Sequence, residues 1–331
     1  MLKSVLTTSA IILTASVAHT TPVSYSDPFT SYLAFGDSLT DDGKLGILSP
    51  PSLGGRFSNG ITYAERIAFD FAIEGKFQEN FALGGATAGD VNTTVYPPGF
   101  DPSPFATFAD QVATLGSIVG TADLGDNPLV SVLCGANDLF QNLSTSATIG
   151  FDAANAVKSG IEAIAALDDS LDTFLVLNLP DIALTPGFAG GPQESEAALQ
   201  SAEFNEQLDA NVDMLRDAGL NIIEFDLDAF FDEILADPGA FGILNTDTPC
   251  IPSFTGLDLA NNCSFELGSG FDLALADDFL FVDPVHPNRV AHQALAVELR
   301  AALAPVPLPA GLPLLAAGIG VFAFLRRRRA A

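Results

Sequence analysis

The sequence predicts a single α/β domain whose sheet is parallel, doubly wound and sandwiched between helices. Three observations carry that expectation. Short apolar runs alternate with longer stretches of helical periodicity along the chain. The runs place Val, Ile, Leu and Phe at consecutive positions, as parallel strands buried on both faces do. They end in Gly, Asn or Asp, and a doubly wound sheet binds its ligands beyond those carboxyl ends.

Strands are expected at residues 32–35, 77–81, 129–133, 173–177 and 222–225. The stretch at 77–81, Phe-Gln-Glu-Asn-Phe, fits the buried pattern least. Helices are expected at 63–71, 105–118, 147–167, 194–218 and 288–303, the last with Val290, Leu295, Val297 and Leu299 feeding an apolar stripe. Gly- and Pro-rich segments at 49–60 and 92–104 read as loops that shape a cleft. No repeat and no linker interrupts the chain before Ala304, so residues 19–304 are read as one domain.

Both ends read as addresses. Lys3, an apolar run through Leu13 and small residues at Ser16 and Ala18 make residues 1–18 a signal peptide. Residues 305–309 read Pro-Val-Pro-Leu-Pro, a mostly apolar stretch fills 310–325, and Arg326, Arg327, Arg328 and Arg329 follow. That stretch is shorter than the ~20 residues of a full span. The arginines would stay on the cytoplasmic side and stop transfer. A permanent anchor and a transient signal both fit this pattern.

The formal net charge is −28, and residues 20–310 hold eight basic against 41 acidic residues. Such a surface repels phosphate backbones, which sets nucleic acid aside as a partner. It keeps the protein solvated, a monomer is expected, and no EF-hand spacing marks a calcium site. Cys250 and Cys263 flank a loop rich in Pro, Asn and Ser and are candidates to pair in an exported chain. Cys134 ends an apolar run and reads as a buried small residue.

Little chemistry is open to this chain. His19 lies at the signal-peptide boundary, which leaves His286 and His292, too few for a zinc site of the usual kind. Phosphate-binding and dinucleotide-binding glycine loops are absent, as is a GxSxG elbow. What remains is Ser38, at the carboxyl end of the first expected strand, and Asp283-Pro284-Val285-His286-Pro287 before the last helix. A hydroxyl needs an adjacent base to become a nucleophile, and a histidine base needs an acid to fix its tautomer. Asp283 and His286, three apart in a loop pinned by two prolines, suit those roles. On spacing alone a turn at Ser38 and a helix start at His286 fit as well. His292, six residues on and about 240° round a helix from His286, reads as structural or surface.

Four blocks in order resemble the GDSL lipase/esterase family, the SGNH hydrolases. They are Phe35-Gly36-Asp37-Ser38-Leu39-Thr40-Asp41, Asn80-Phe81-Ala82-Leu83-Gly84-Gly85-Ala86-Thr87, Gly135-Ala136-Asn137-Asp138 and Asp283-Pro284-Val285-His286. The resemblance implies Ser38 as nucleophile, His286 as base, Asp283 as its partner, and an oxyanion hole built from Ser38, Gly85 and Asn137. It also implies a flavodoxin-like three-layer α/β/α sandwich with a five-stranded parallel sheet. The activity implied is ester hydrolysis through an acyl-enzyme, of esterase, lipase or lysophospholipase type, with no metal or organic cofactor. An acetyl esterase acting on extracellular polysaccharide is the alternative, and a non-enzymatic surface protein with a decayed hydrolase fold is a third reading. Segments 55–60, 179–186 and 204–205 are similar to the larger secreted members of the family. Cys134 departs from the bulky residue expected before the third block. The tail, with Val306-Pro307-Leu308-Pro309-Ala310, resembles the PEP-CTERM class of sorting signals. That likeness implies a membrane peptidase as partner, and a product that is secreted or held at the surface after cutting.

Overall fold

The computed structural model describes residues 24–46, 54–252, 263, 265–266, 270–271 and 273–304. The signal-peptide and sorting-tail readings fall outside them. The compact unit that carries the sheet spans Tyr25–Ala304.

In chain order the unit contains β1 (Ser31–Gly36), α1 (Tyr63–Ile73), β2 (Phe77–Asn80), α2 (Phe108–Ile118), β3 (Pro128–Leu133), α3 (Ala136–Asn142), α4 (Ile149–Ala165), β4 (Thr173–Leu177), α5 (Glu194–Asp217), β5 (Asn221–Phe225), α6 (Leu227–Ala236), a short pair β6 (Phe265–Glu266) and β7 (Gly270–Phe271), α7 (Leu273–Asp277) and α8 (Arg289–Leu303). The five main strands form one parallel sheet in the order β2-β1-β3-β4-β5. This is the flavodoxin-like order. Every residue of β1, β3 and β4 is buried, so helices cover both faces of the sheet. One layer packs α1 against α8, and the other packs α4 against α2 and α5.

Local chemistry sets the helix ends. Thr62 and Glu65 form a capping box at α1, and Thr107 and Asp110 form one at α2. Asp226 and Asn288 cap α6 and α8 with their side chains. In the core Phe35 stacks on Phe81 at 4.8 Å between centroids and meets Phe108 edge-on at 5.8 Å. Burying each such ring contributes about 1.5–3 kcal/mol.

A smaller apolar cluster of Cys250, Ile251, Cys263, Ala276 and Phe279 sits apart from the main core. Cys250 and Cys263 are joined as a disulfide, with Cα atoms 5.1 Å apart. The backbone N–H groups of Cys250 and Ile251 donate to Phe281 and Val282, directly ahead of Asp283. Cys134 is free and buried.

Candidate active site

The sheet order places the switch point between β1 and β3, because the chain leaves β1 toward β2 and returns to pair β3 on its other side. The crevice beyond these two strands is where such folds bind ligands. Ser38 follows β1 there, and Asn137 follows β3.

Gln111, buried on α2, accepts from the Gly36 N–H at 3.0 Å and donates to its carbonyl at 2.8 Å, which closes the end of β1. The Asp37 carbonyl then accepts from Thr40 and Asp41 N–H at 3.1 and 2.9 Å. That single helical turn lifts Ser38 to the rim of the sheet, 7% exposed.

Asp283 and His286 reach Ser38 from the other end of the chain. One carboxylate oxygen of Asp283 accepts the Val285 and His286 N–H groups at 2.9 and 2.8 Å, which folds the loop into a turn. The other oxygen lies 2.6 Å from His286 Nδ1, and His286 Nε2 lies 2.7 Å from Ser38 Oγ. Asp283 is fully buried. Neighbours fix the loop from both sides. Ser58 donates to the Pro287 carbonyl, Gly187 N–H to the Pro284 carbonyl, and Arg289 N–H to Asn59 at 2.6 Å. Arg289 also holds Asp277 through two bonds of 2.8 and 2.6 Å. The segment 55–60, expected as part of a cleft-shaping loop and as a subgroup likeness, thus buttresses the Asp283–His286 loop.

Gly85 and Asn137 line the same cleft as Ser38 and His286. Gly85 sits at φ +86°, a left-handed conformation that favours glycine. The Asp41 carboxylate accepts the N–H of the preceding Gly84 at 2.7 Å. Asn137 spends one amide hydrogen on the Ala86 carbonyl at 2.9 Å, and its amide has a second to give. Asp138 accepts from Ala88 and Gly89 N–H at 2.7 and 2.9 Å, tying the residues just after the second block to the third.

The cleft has a volume of about 320 Å³. Leu45, Phe57, Val95, Pro97, Phe140 and Val285 give it mostly apolar walls. Burial raises the Asp37 carboxyl, next to Ser38, to about 7. Burial also raises Asp41 and Asp138. His292 is 2% exposed, accepts the Tyr63 N–H on Nδ1 at 3.3 Å, and burial lowers its pKa to about 3. It is a structural residue of the α1–α8 interface. Among the described residues no group of three or more His, Cys, Asp and Glu side chains is placed to hold a metal ion.

Sequence reasoning passed over Phe57, Thr94, Tyr96 and Phe140, which line the cleft, and Asp41, which holds Gly84. Phe57 lay inside a quoted segment. Asp41 closes the first block, and Thr94 and Tyr96 lie in the 92–104 segment expected to shape a cleft, but none of them was given a role; Phe140 carries no signal of its own.

A hydroxyl aimed at an imidazole that a buried carboxylate holds is the arrangement of serine hydrolases. Here it stands at the switch point of a flavodoxin-like sheet. The sequence model of the GDSL-like lipase/acylhydrolase family matches residues 32–299, and the chain belongs to that family. The chain is 26% identical over 282 residues to the thermolabile hemolysin of Vibrio parahaemolyticus, covering 82% of this chain and 63% of that protein. It is 30% identical over 254 residues to the phosphatidylcholine-sterol acyltransferase of Aeromonas hydrophila, covering 72% and 71%. It is 30% identical over 261 residues to an acetylesterase of Thermothelomyces thermophilus, covering 72% and 84%. The chain thus spans less than two thirds of the length of the hemolysin.

Proposed function

We propose that the protein hydrolyses carboxylic esters, with Ser38 as nucleophile, His286 as general base and Asp283 as its orienting acid. The observation that carries this reading is the unbroken chain from Asp283 through His286 to Ser38, with gaps of 2.6 and 2.7 Å. Ser38 Oγ attacks the ester carbonyl as His286 Nε2 takes its proton. Asp283 keeps the proton on Nδ1 and stabilises the imidazolium. The Ser38 and Gly85 N–H groups and the free amide hydrogen of Asn137 receive the oxyanion, and one such donor supplies about 2.7–4 kcal/mol. His286 returns its proton to the leaving alcohol, and water, deprotonated by the same imidazole, releases the acid from Ser38.

The apolar cleft walls favour an ester with an apolar acyl chain. The acetylesterase relative keeps acetyl esters as a second reading, which we extend to the acetyl groups of extracellular polysaccharide. Hydrolysis of nitrophenyl esters of increasing chain length, set against acetate release from acetylated xylan, separates the two. The activity itself is tested by Ser38→Ala, which should remove several orders of magnitude of turnover in a folded protein. Retention of a tenth of wild-type turnover would sink the assignment.

Residues 1–18 and 305–331 extend this reading to an exported enzyme, cut near the proline motif by a membrane peptidase and released or kept at the surface. A monomer suits the strongly acidic surface.

A further inference from the structure

We propose that Asn92, Thr94 and Gln141, which lie in none of the four motif blocks, are positioning residues for the oxyanion hole; this rests on the hydrolase reading above. The Gly85 carbonyl accepts two side-chain bonds, from Asn92 Nδ2 at 2.9 Å and from Thr94 Oγ1 at 2.8 Å. Both of its lone pairs are then engaged. Together with the Asp41 bond to Gly84 N–H, they clamp the chain on both sides of the peptide that carries the Gly85 N–H. Gly85 needs such a clamp, because a glycine at positive φ has no side chain to limit its rotation.

The same side chains reach the third block. Asn92 Oδ1 accepts from Thr94 N–H at 2.7 Å, and Asn92 Nδ2 also donates to the Ala106 carbonyl at 2.6 Å. Gln141 Nε2 donates to Thr94 Oγ1 at 3.1 Å, and Gln141 Oε1 accepts from Thr93 N–H and Oγ1, both at 2.7 Å. Gln141 lies four residues beyond Asn137 on α3, so both face the same way. Gly85 comes from the loop after β2 and Asn137 from the helix after β3, and no backbone bond between these two residues joins them. The network links the mounts of the two donors, so that their spacing is held by side chains outside the motifs. A misplacement of the order of 1 Å in such a constellation costs about 100-fold in rate.

The test uses the purified protein and a short-chain nitrophenyl ester. Thr94→Val keeps the shape of the side chain, including the methyl against Gly85, and removes the hydroxyl. It should lower kcat by about 10- to 100-fold while KM and the pH profile stay close to wild type. Thr94→Ser should restore most of the loss. Gln141→Glu, which keeps the acceptor for Thr93 and removes the donor to Thr94, should lower kcat in the same direction. A boronic acid that mimics the tetrahedral adduct should weaken in parallel with kcat/KM across the series. Combined with Asn137→Ala, Thr94→Val should cost less than the product of the two single effects, because both act on one hole. Full kcat in Thr94→Val, a loss confined to KM, or a fully multiplicative double variant would overturn the proposal. If Ser38→Ala is inactive while Thr94→Val is fully active, the network fails and the hydrolase reading stands. If Ser38→Ala stays active, both fail.

Discussion

The ring of Phe57 fills the space that a side chain on Gly84 would need: a Cβ built on Gly84 would lie 1.9 Å from Phe57 Cε2. The same ring lies 5.0 Å from the His286 ring, centroid to centroid. Phe57 is therefore wedged between the Gly84–Gly85 loop and the His286 imidazole. Gly84→Ala should drive the ring toward His286; misplacing the imidazole should cost about tenfold or more in kcat, apart from the ~1–3 kcal/mol of stability that overpacking typically costs. The double variant Gly84→Ala/Phe57→Ala, with room for the new methyl, should recover part of that loss. Comparing kcat for the two variants checks this; equal losses would mean that the ring does not transmit the push.

Asn137→Ala should lower kcat about 10²–10³-fold with little change in KM, because its donor acts on charge that develops only in the transition state. Steady-state kinetics read the split. A change confined to KM would move Asn137 into the substrate pocket.

The histidines should part company. His286→Gln should be nearly inactive, and His292→Asn should keep its turnover but change the acid stability. Folded His292 titrates at about 3, against ~6.5 in the unfolded chain. Below pH 6.5 the unfolded chain takes up a proton that buried His292 refuses. Stability from this group is therefore whole above about 6.5 and lost as the pH falls toward 3. Melting temperatures from pH 7 to pH 4 should fall less steeply in His292→Asn than in wild type.

Asp37 works with the opposite sign. Its folded pKa of about 7 lies above the usual value of 3.8, so the native state holds a proton that the unfolded chain has lost. The group favours folding fully below pH 3.8, and that contribution drains away as the pH rises to 7. Asp37→Asn should gain most in melting temperature, relative to wild type, at pH 8 and least at pH 4. An equal difference at both pH values would count against an ionisable Asp37.

Much of this architecture was legible because burial writes itself into composition. The strands expected at 32–35 and 129–133 emerge as Ser31–Gly36 and Pro128–Leu133, wholly buried inside a covered sheet. The edge strand Phe77–Asn80 fitted the pattern least for a physical reason, since only Asn80 in it is buried. Helix ends moved where a cap intervenes: Thr107 starts α2 later than the expected 105, and Asn288 stands just outside α8. Helix α6 went unread although Asp226 precedes Leu227, Phe230, Phe231 and Ile234 at helical spacing. Ser38, Gly85, Asn137, Asp283 and His286 were all named from their blocks; four of them line one cleft, and Asp283 lies buried against His286. The bonds of Thr93 and Thr94 to Gln141 were not readable, because they join positions 47 and 48 residues apart whose neighbourhood exists only after folding.

The tail bears a prediction of its own. A short apolar stretch with prolines before it and four arginines behind it suits a pause and a cut more than a permanent anchor. The mature protein should end near Ala310 and lack Arg326, Arg327, Arg328 and Arg329. Intact-mass measurement on protein from the producing cells decides it, and a mass that still includes the arginines would favour an anchor.

Ser38 and His286 stand 248 residues apart in the chain. A ribosome adds about 5–20 residues per second, so the serine emerges roughly 12–50 s before the imidazole that, on the proposed reading, activates it. Until then its hydroxyl is as inert as any other. The base arrives only with the final helix, whose first-turn Arg289 locks onto Asn59 and Asp277. On the proposed reading, completion of the fold and onset of reactivity are thus one event, and a nascent chain cannot cleave esters during its own synthesis.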